Sequence, residues 1–199
     1  MASLQLKGVN FSDSEMMGCQ FNGCESQEAN YTGCDLRSTQ AVGCNFNSSI
    51  FSEADLSFGD FTNAKINKCV SLNAVWDGAT GEGTDFAESD LSGSYFRKSE
   101  FTKASFKNGV AKGTKFFDAV LHDADFAGCD LTGADFKGAD LSRAIFKDAI
   151  LMNCSFDHAN LHGCNFLGAR MEGAIMGYAF CDETIMNHAD LLTCTISIL

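Results

Sequence analysis

Every fifth residue of this chain is large and apolar. Of the 40 positions whose numbers leave a remainder of one on division by five, Met1 to Ile196, 34 are Leu, Phe, Met, Ile, Tyr or Trp. The exceptions are Ser26, Ala41, Ser71, Gly81, Ala111 and Cys181. Two places earlier, from Leu4 to Leu199, 37 of 40 positions are Ala, Cys, Ser, Thr or Gly. The register does not slip anywhere. A period of five fits neither the 3.6 of an α-helix nor the 2.0 of a flat strand. On a helix the apolar stripe would wander around the surface and form no face. A chain that turns a corner every five residues can instead send one large and one small side chain inward on each side. Four such sides make a coil of twenty residues. About ten coils stacked at the ordinary strand spacing give a rod roughly 48 Å long. The expectation is an all-β solenoid without loop insertions, forming a single domain over residues 1–199.

Stretches such as Ala124-Asp125-Phe126-Ala127-Gly128, Ala134-Asp135-Phe136-Lys137-Gly138 and Ala139-Asp140-Leu141-Ser142-Arg143 resemble the A(D/N)LXX motif of the pentapeptide-repeat family. The resemblance runs from about Leu4 to Leu199. It implies a right-handed quadrilateral β-helix; handedness comes from the resemblance and not from the spacing.

Residues twenty apart should stack. One inward column reads Phe96, Phe116, Phe136, Phe156, Met176, and another Phe86, Phe106, Phe126, Phe146, Phe166. These are ladders of core packing and not a cofactor box. The coil with Ile66, Ser71, Trp76 and Gly81 is irregular, and volume compensation around Trp76 predicts that Gly81→Phe destabilises unless Trp76 is also reduced. The alternative is a bulge at Gly81-Glu82-Gly83.

Nine of the ten cysteines occupy the small inward position, and Cys181 the large one. They read as small buried hydrophobes. Only Cys24 and Cys44 stack directly in adjacent coils, where a disulfide is geometrically conceivable. Mostly free thiols suit a reducing compartment such as the cytoplasm; a trimmed lumenal or exported form is the alternative. No C-x-x-C or inward histidine offers a zinc site. His122, His158, His162 and His188 fall at outward positions with no nucleophile in register, and no phosphate-binding loop appears. No catalytic, metal or cofactor residue is assigned, and the chain is not expected to be an enzyme.

The formal net charge of -12 disfavours direct binding to nucleic acid or anionic membranes. Neither a signal-peptide pattern nor an apolar run of membrane-spanning length occurs, so the chain is expected to be soluble. Thirteen of the 26 acidic residues stand just before the large residue, where a short acid can bond turn amides. Glu15, Asp35 and Asp55 fall in one outward column on three successive coils and form the candidate acidic interaction ladder. Near the C-terminus Ile175, Tyr178, Phe180, Ile185, Leu192 and Ile198 take nominally outward positions, and they are the candidate interface of a two-fold homodimer. The functional expectation is a non-catalytic scaffold, a stiff acidic rod that binds a protein partner. The family resemblance implies an alternative: a DNA mimic binding DNA gyrase or topoisomerase IV, the type II topoisomerases, as quinolone-resistance members do. Three features weigh against it. No loops interrupt the register, no C-terminal helix follows it, and Arg97, Lys98, Lys103, Lys107, Lys112 and Lys115 dilute the charge.

Overall fold

A computed structural model describes residues 4–198, the side chain of Ile198 excepted, so Leu199 lies outside the described residues. The five-residue unit is the same throughout, and the side around Leu36 shows how it works. The amides of Leu36 and Ser38 donate to the carbonyls of Asp55 and Ser57 in the next coil, at 2.7 and 2.9 Å. Thr39 N–H closes the turn onto Leu36 O at 3.2 Å, and Asp55 N–H returns to Cys34 O at 2.9 Å. Each position before the large residue therefore forms a parallel bridge to the residue twenty further on, from Gln5↔Glu25 to Arg170↔Asp190. The result is a four-sided solenoid. The spacing holds into β1 (Ile175–Ala179) and β2 (Thr195–Ile198), and only there does it shift, between Gly177 and Ala179. No further coil among the described residues packs on β2 to hold its register.

The residue two places after each large one has φ between 53° and 72°, as the third residue of a type II turn requires. Glycine is the natural occupant, yet Phe58, Tyr178 and the β-branched Thr193 also adopt it. One amide in each unit, that of the residue after the large one, lacks a backbone partner. A short acid supplies it: Asp55 Oδ1 accepts from Ser57 N–H at 3.0 Å. Asp60, Asp90, Asp125, Asp130, Asp135, Asp140 and Asp190 do the same. This Asx turn explains the preference for Asp and Asn at that position.

The small inward position has its own rule. Its hydroxyl or thiol donates to the carbonyl of the large residue 23 positions earlier. Examples are Thr84 to Phe61 O at 2.8 Å, Ser89 to Ile66 O at 2.7 Å, and Cys154 to Leu131 O at 3.0 Å. Most Ser, Thr and Cys are buried there because they are bonded across coils, although Ser99 Oγ bonds instead to Phe96 O in its own coil at 2.8 Å. Thr39 Oγ1 is buried without a partner.

The interior is built of columns. In the second half of the rod, phenylalanines stack within a column, as Phe116 on Phe136 at 4.8 Å and 2°, and meet the opposite column edge-on, as Phe126 with Phe136 at 5.8 Å and 82°. Both arrangements suit the ring quadrupole. In the first half the ladder occupies a different side, Phe11–Tyr31–Phe51. Trp76 is where it changes sides: the indole meets Phe51 and Phe61 edge-on and stacks on Phe96 at 5.6 Å and 5°.

Two of the undersized inward residues follow from this. Trp76 Nε1–H donates to Ser71 Oγ at 3.2 Å, and the Tyr31 hydroxyl bonds Ser26 Oγ at 2.6 Å. In each case a serine five residues earlier satisfies the one polar group a buried aromatic carries. Gly81 is explained differently from the expectation. A Cβ there would lie 2.5 Å from Phe101 Cδ1 and from Thr84 Oγ1. The ring stacked above fills the space, not Trp76, so shrinking Trp76 would not relieve a larger residue at position 81. The bulge alternative also fails, because Gly81 and Gly83 keep the regular cross-coil bonds to Glu100 O and Thr102 O.

Candidate interaction surfaces

Glu15, Asp35 and Asp55 do stand in one column, bridged in turn. Elsewhere the bridging positions avoid this: Val70, Asp90, Val110, Asp130 and Ile150 alternate along one side. Like charges directly opposite on neighbouring strands repel, and alternation with a β-branched residue removes the clash. The three-acid run is relieved by Arg37, whose Nε donates to Asp35 Oδ1 at 2.8 Å and lies 3.9 Å from Asp55 Oδ2. That hydrogen bond holds the Asp35 carboxyl below its ordinary value. Beyond Asp55 the column continues as Val75, Tyr95 and Lys115. Ion pairs also join coils elsewhere, including Arg97–Asp77, Lys107–Asp125 at 2.8 Å and Arg143–Asp123 at 2.8 Å. The surface is a patchwork of both signs.

At the C-terminal end, Ile175, Tyr178 and Phe180 come together around one corner, each about half exposed. Ile185 and Leu192 are also exposed but fall on the next two sides of the following coil. Ile198 pairs through its backbone in β2, and its side chain lies outside the described residues. His158 stacks on Tyr178 at 5.2 Å, and His162 lies 3.8 Å from Asp182.

A third surface was not singled out by the sequence reading. Phe58, Asp77, Gly78, Arg97, Lys98 and Phe117 line a shallow depression of about 350 Å³ midway along the rod. Phe58 is 68% exposed, and its ring lies over Gly78. The Arg97 guanidinium is bonded to Asp77 and sits 5.1 Å from the centre of the Tyr95 ring. The signal was present in the sequence: Phe58 and Phe117 are two of the three phenylalanines out of the inward register.

The cysteines are part of the packing. The structure joins Cys24 to Cys44, with Cα atoms 4.7 Å apart, and leaves the other eight free. Burial pushes the thiols of Cys69, Cys129, Cys154 and Cys164 up to about 12, which removes thiolate and with it nucleophilicity. Among the described residues no group of His, Cys, Asp and Glu is placed to hold a metal ion.

A family model for pentapeptide repeats matches eight copies, over residues 29–67, 82–116, 119–157 and 154–191. No curated protein sequence matches the chain. Among solved structures, the plasmid-mediated fluoroquinolone resistance protein QnrB1 superposes with a TM-score of 0.62 at 20% identity, covering 86% of this chain and 88% of that one. HetL, a pentapeptide repeat protein involved in heterocyst differentiation regulation in the cyanobacterium Nostoc sp. strain PCC 7120, is 21% identical over 96% of this chain and 87% of its own, with a TM-score of 0.44. A pentapeptide repeat protein of the Arabidopsis thaliana thylakoid lumen is 32% identical over 47% of this chain and 66% of its own, with a TM-score of 0.46. Unbroken five-residue units, twenty-residue parallel bridges and the matching family model lead to one conclusion: the chain is a right-handed quadrilateral β-helix and belongs to the pentapeptide-repeat family.

Proposed function

We propose that this protein is a non-catalytic scaffold that binds a protein partner through its outward columns. The observation that carries the reading is the placing of exposed apolar side chains in a charged surface. Phe58, Ile175, Tyr178, Phe180 and Leu192 are each between 47% and 68% exposed. The inward columns already fill the core, so these side chains add nothing to it, and clustered apolar surface marks interaction sites. The test is a photo-crosslinking side chain placed at position 98 or 158, outward sites beside the two apolar clusters, and for comparison at position 68. A discrete conjugate in extracts of the source cell at 98 or 158 alone is expected. The same products at all three sites, or none at any, would overturn the reading.

A second reading is a DNA mimic that binds a type II topoisomerase. The net charge of -12 favours it. The interrupted acidic columns weigh against it, because DNA presents continuous lines of phosphate. A gyrase supercoiling assay with and without a fluoroquinolone tests it: inhibition or drug protection at micromolar protein supports the mimic, and no effect rejects it. Under either reading the corner of Ile175, Tyr178 and Phe180 is proposed to pair two copies about a two-fold axis. Light scattering should then give a dimer mass that falls on dilution or on Tyr178→Ser substitution; a monomer mass at every concentration rejects the dimer.

A further inference from the structure

The rod has five aromatic side chains that point outward, and three of them fall along one corner on separate coils. Phe58, Tyr95 and Phe117 occupy adjacent outward columns at one corner, while Tyr178 and Phe180 belong to the C-terminal cluster. Phe58 is the least explicable as packing. Its φ is 60°, a conformation that disfavours a bulky side chain, and most of its ring is open to water. Fold stability would favour glycine at that position, as at Gly78 directly above it.

Two of the rod's unpaired lysines lie around these rings. Asp77 is neutralised by Arg97, which also fixes the guanidinium against Tyr95. Most cations on the rod are matched to a carboxylate; among the described residues Lys65, Lys98, Lys115 and Lys147 form no ion pair, and two of these, Lys98 and Lys115, lie at this corner. Asp118, beside Phe117 in sequence, turns its carboxylate over Gly138 in the next coil. A chain of net charge -12 thus carries, beside one shallow depression, two unpaired lysines near the exposed rings of Phe58 and Tyr95 and the part-exposed ring of Phe117.

We infer that this corner binds an acidic protein segment bearing an aromatic or leucine side chain. The apolar side chain sits in the depression between Phe58 and Phe117, and the flanking carboxylates meet Lys98 and Lys115. The inference rests on the scaffold reading and adds the place and the partner's chemistry. Rings with lysines also suit single-stranded nucleic acid. Two free cations at one corner of so acidic a rod would not offset the repulsion of a polyanion, and a short acidic peptide brings far less of it.

The probes are a ten-residue Glu/Asp peptide with one central Phe, its Gln/Asn counterpart, its Phe→Ala counterpart, and a twelve-residue oligothymidylate. Binding is followed by backbone NMR shifts on the full chain. The acidic Phe peptide should perturb residues 58, 78, 95–98 and 115–117, with at least about tenfold weaker binding for either altered peptide. Phe58→Gly and Lys98→Glu should each weaken it by at least about tenfold, and Phe58→Gly should leave the unfolding midpoint unchanged or raised. The inference is overturned if no peptide shifts this corner, if both variants bind as the wild type does, or if oligothymidylate binds there as tightly. Peptide shifts elsewhere on the rod would refute this corner while leaving the scaffold reading to its own crosslinking test.

Discussion

At the scale of single residues, the departures from the repeat carry the most information. Ser26 and Ser71 look like lost bulk in the sequence. In the structure each is the hydrogen-bond partner of a buried aromatic five residues on. Ser26→Ala should therefore cost about 1–3 kcal/mol, because it strands the Tyr31 hydroxyl, and adding Tyr31→Phe should recover most of the loss. Denaturant unfolding of the two singles and the double measures this, and additive losses would contradict it. Gly81→Ala should destabilise as well, and Trp76→Phe should not rescue it, since the clash is with Phe101 and Thr84. Rescue in a thermal melt would show that Trp76 controls the space after all. The spacing of five was legible in both serine pairs. The reason for Gly81 was not, because it lies in the coil above and depends on which way a ring leans.

At the scale of the coil, the two inward registers and the motif acids were readable from sequence, since each follows from a rule local to five residues. Charge was less readable. Glu15, Asp35 and Asp55 do align, but Arg37 crosses the column, and the reach of one long side chain between coils is not encoded in any spacing. The pH behaviour follows from that contact. The hydrogen bond from Arg37 lowers the Asp35 pKa in the folded state. Its stabilising effect is complete above the unfolded value of about 3.9 and is lost as pH falls through the lower folded value. Arg37 is exposed and Asp35 part-exposed, so solvent screening keeps the effect small. The sharper readout is the Asp35 carboxyl titration followed by NMR. Arg37→Gln should move its midpoint up towards the ordinary range, and an unmoved midpoint would remove Arg37 as the cause.

At the scale of the whole molecule, the rod divides its residues between two tasks. The inward columns hold coil to coil, and the outward side chains that take no part in the turns face the solvent. The cysteines test the first part. Cys69, Cys129, Cys154 and Cys164, with thiols pushed up to about 12 by burial, should resist a thiol reagent at pH 8 in the folded protein. All eight free cysteines should react once the chain is unfolded, and Cys24 and Cys44 only after reduction. Rapid labelling of the buried four would mean that the coils open readily. The sequence showed that Cys24 and Cys44 could meet, because they stack in adjacent coils, but it gave no account of the exposed corner around Phe58. Aromatic residues out of register are invisible to a search for the register itself.

The division of labour is tested most directly at two adjacent residues, Phe116 and Phe117. Phe116 is buried between Phe96 and Phe136, at ring distances of 5.1 and 4.8 Å, while Phe117 lines the surface depression. Denaturant unfolding of Phe116→Ala should show a loss of about 3–5 kcal/mol, and Phe117→Ala less than about 1 kcal/mol. Comparable losses at the two positions would contradict the account, since the outward aromatics would then belong to the fold and not to a partner.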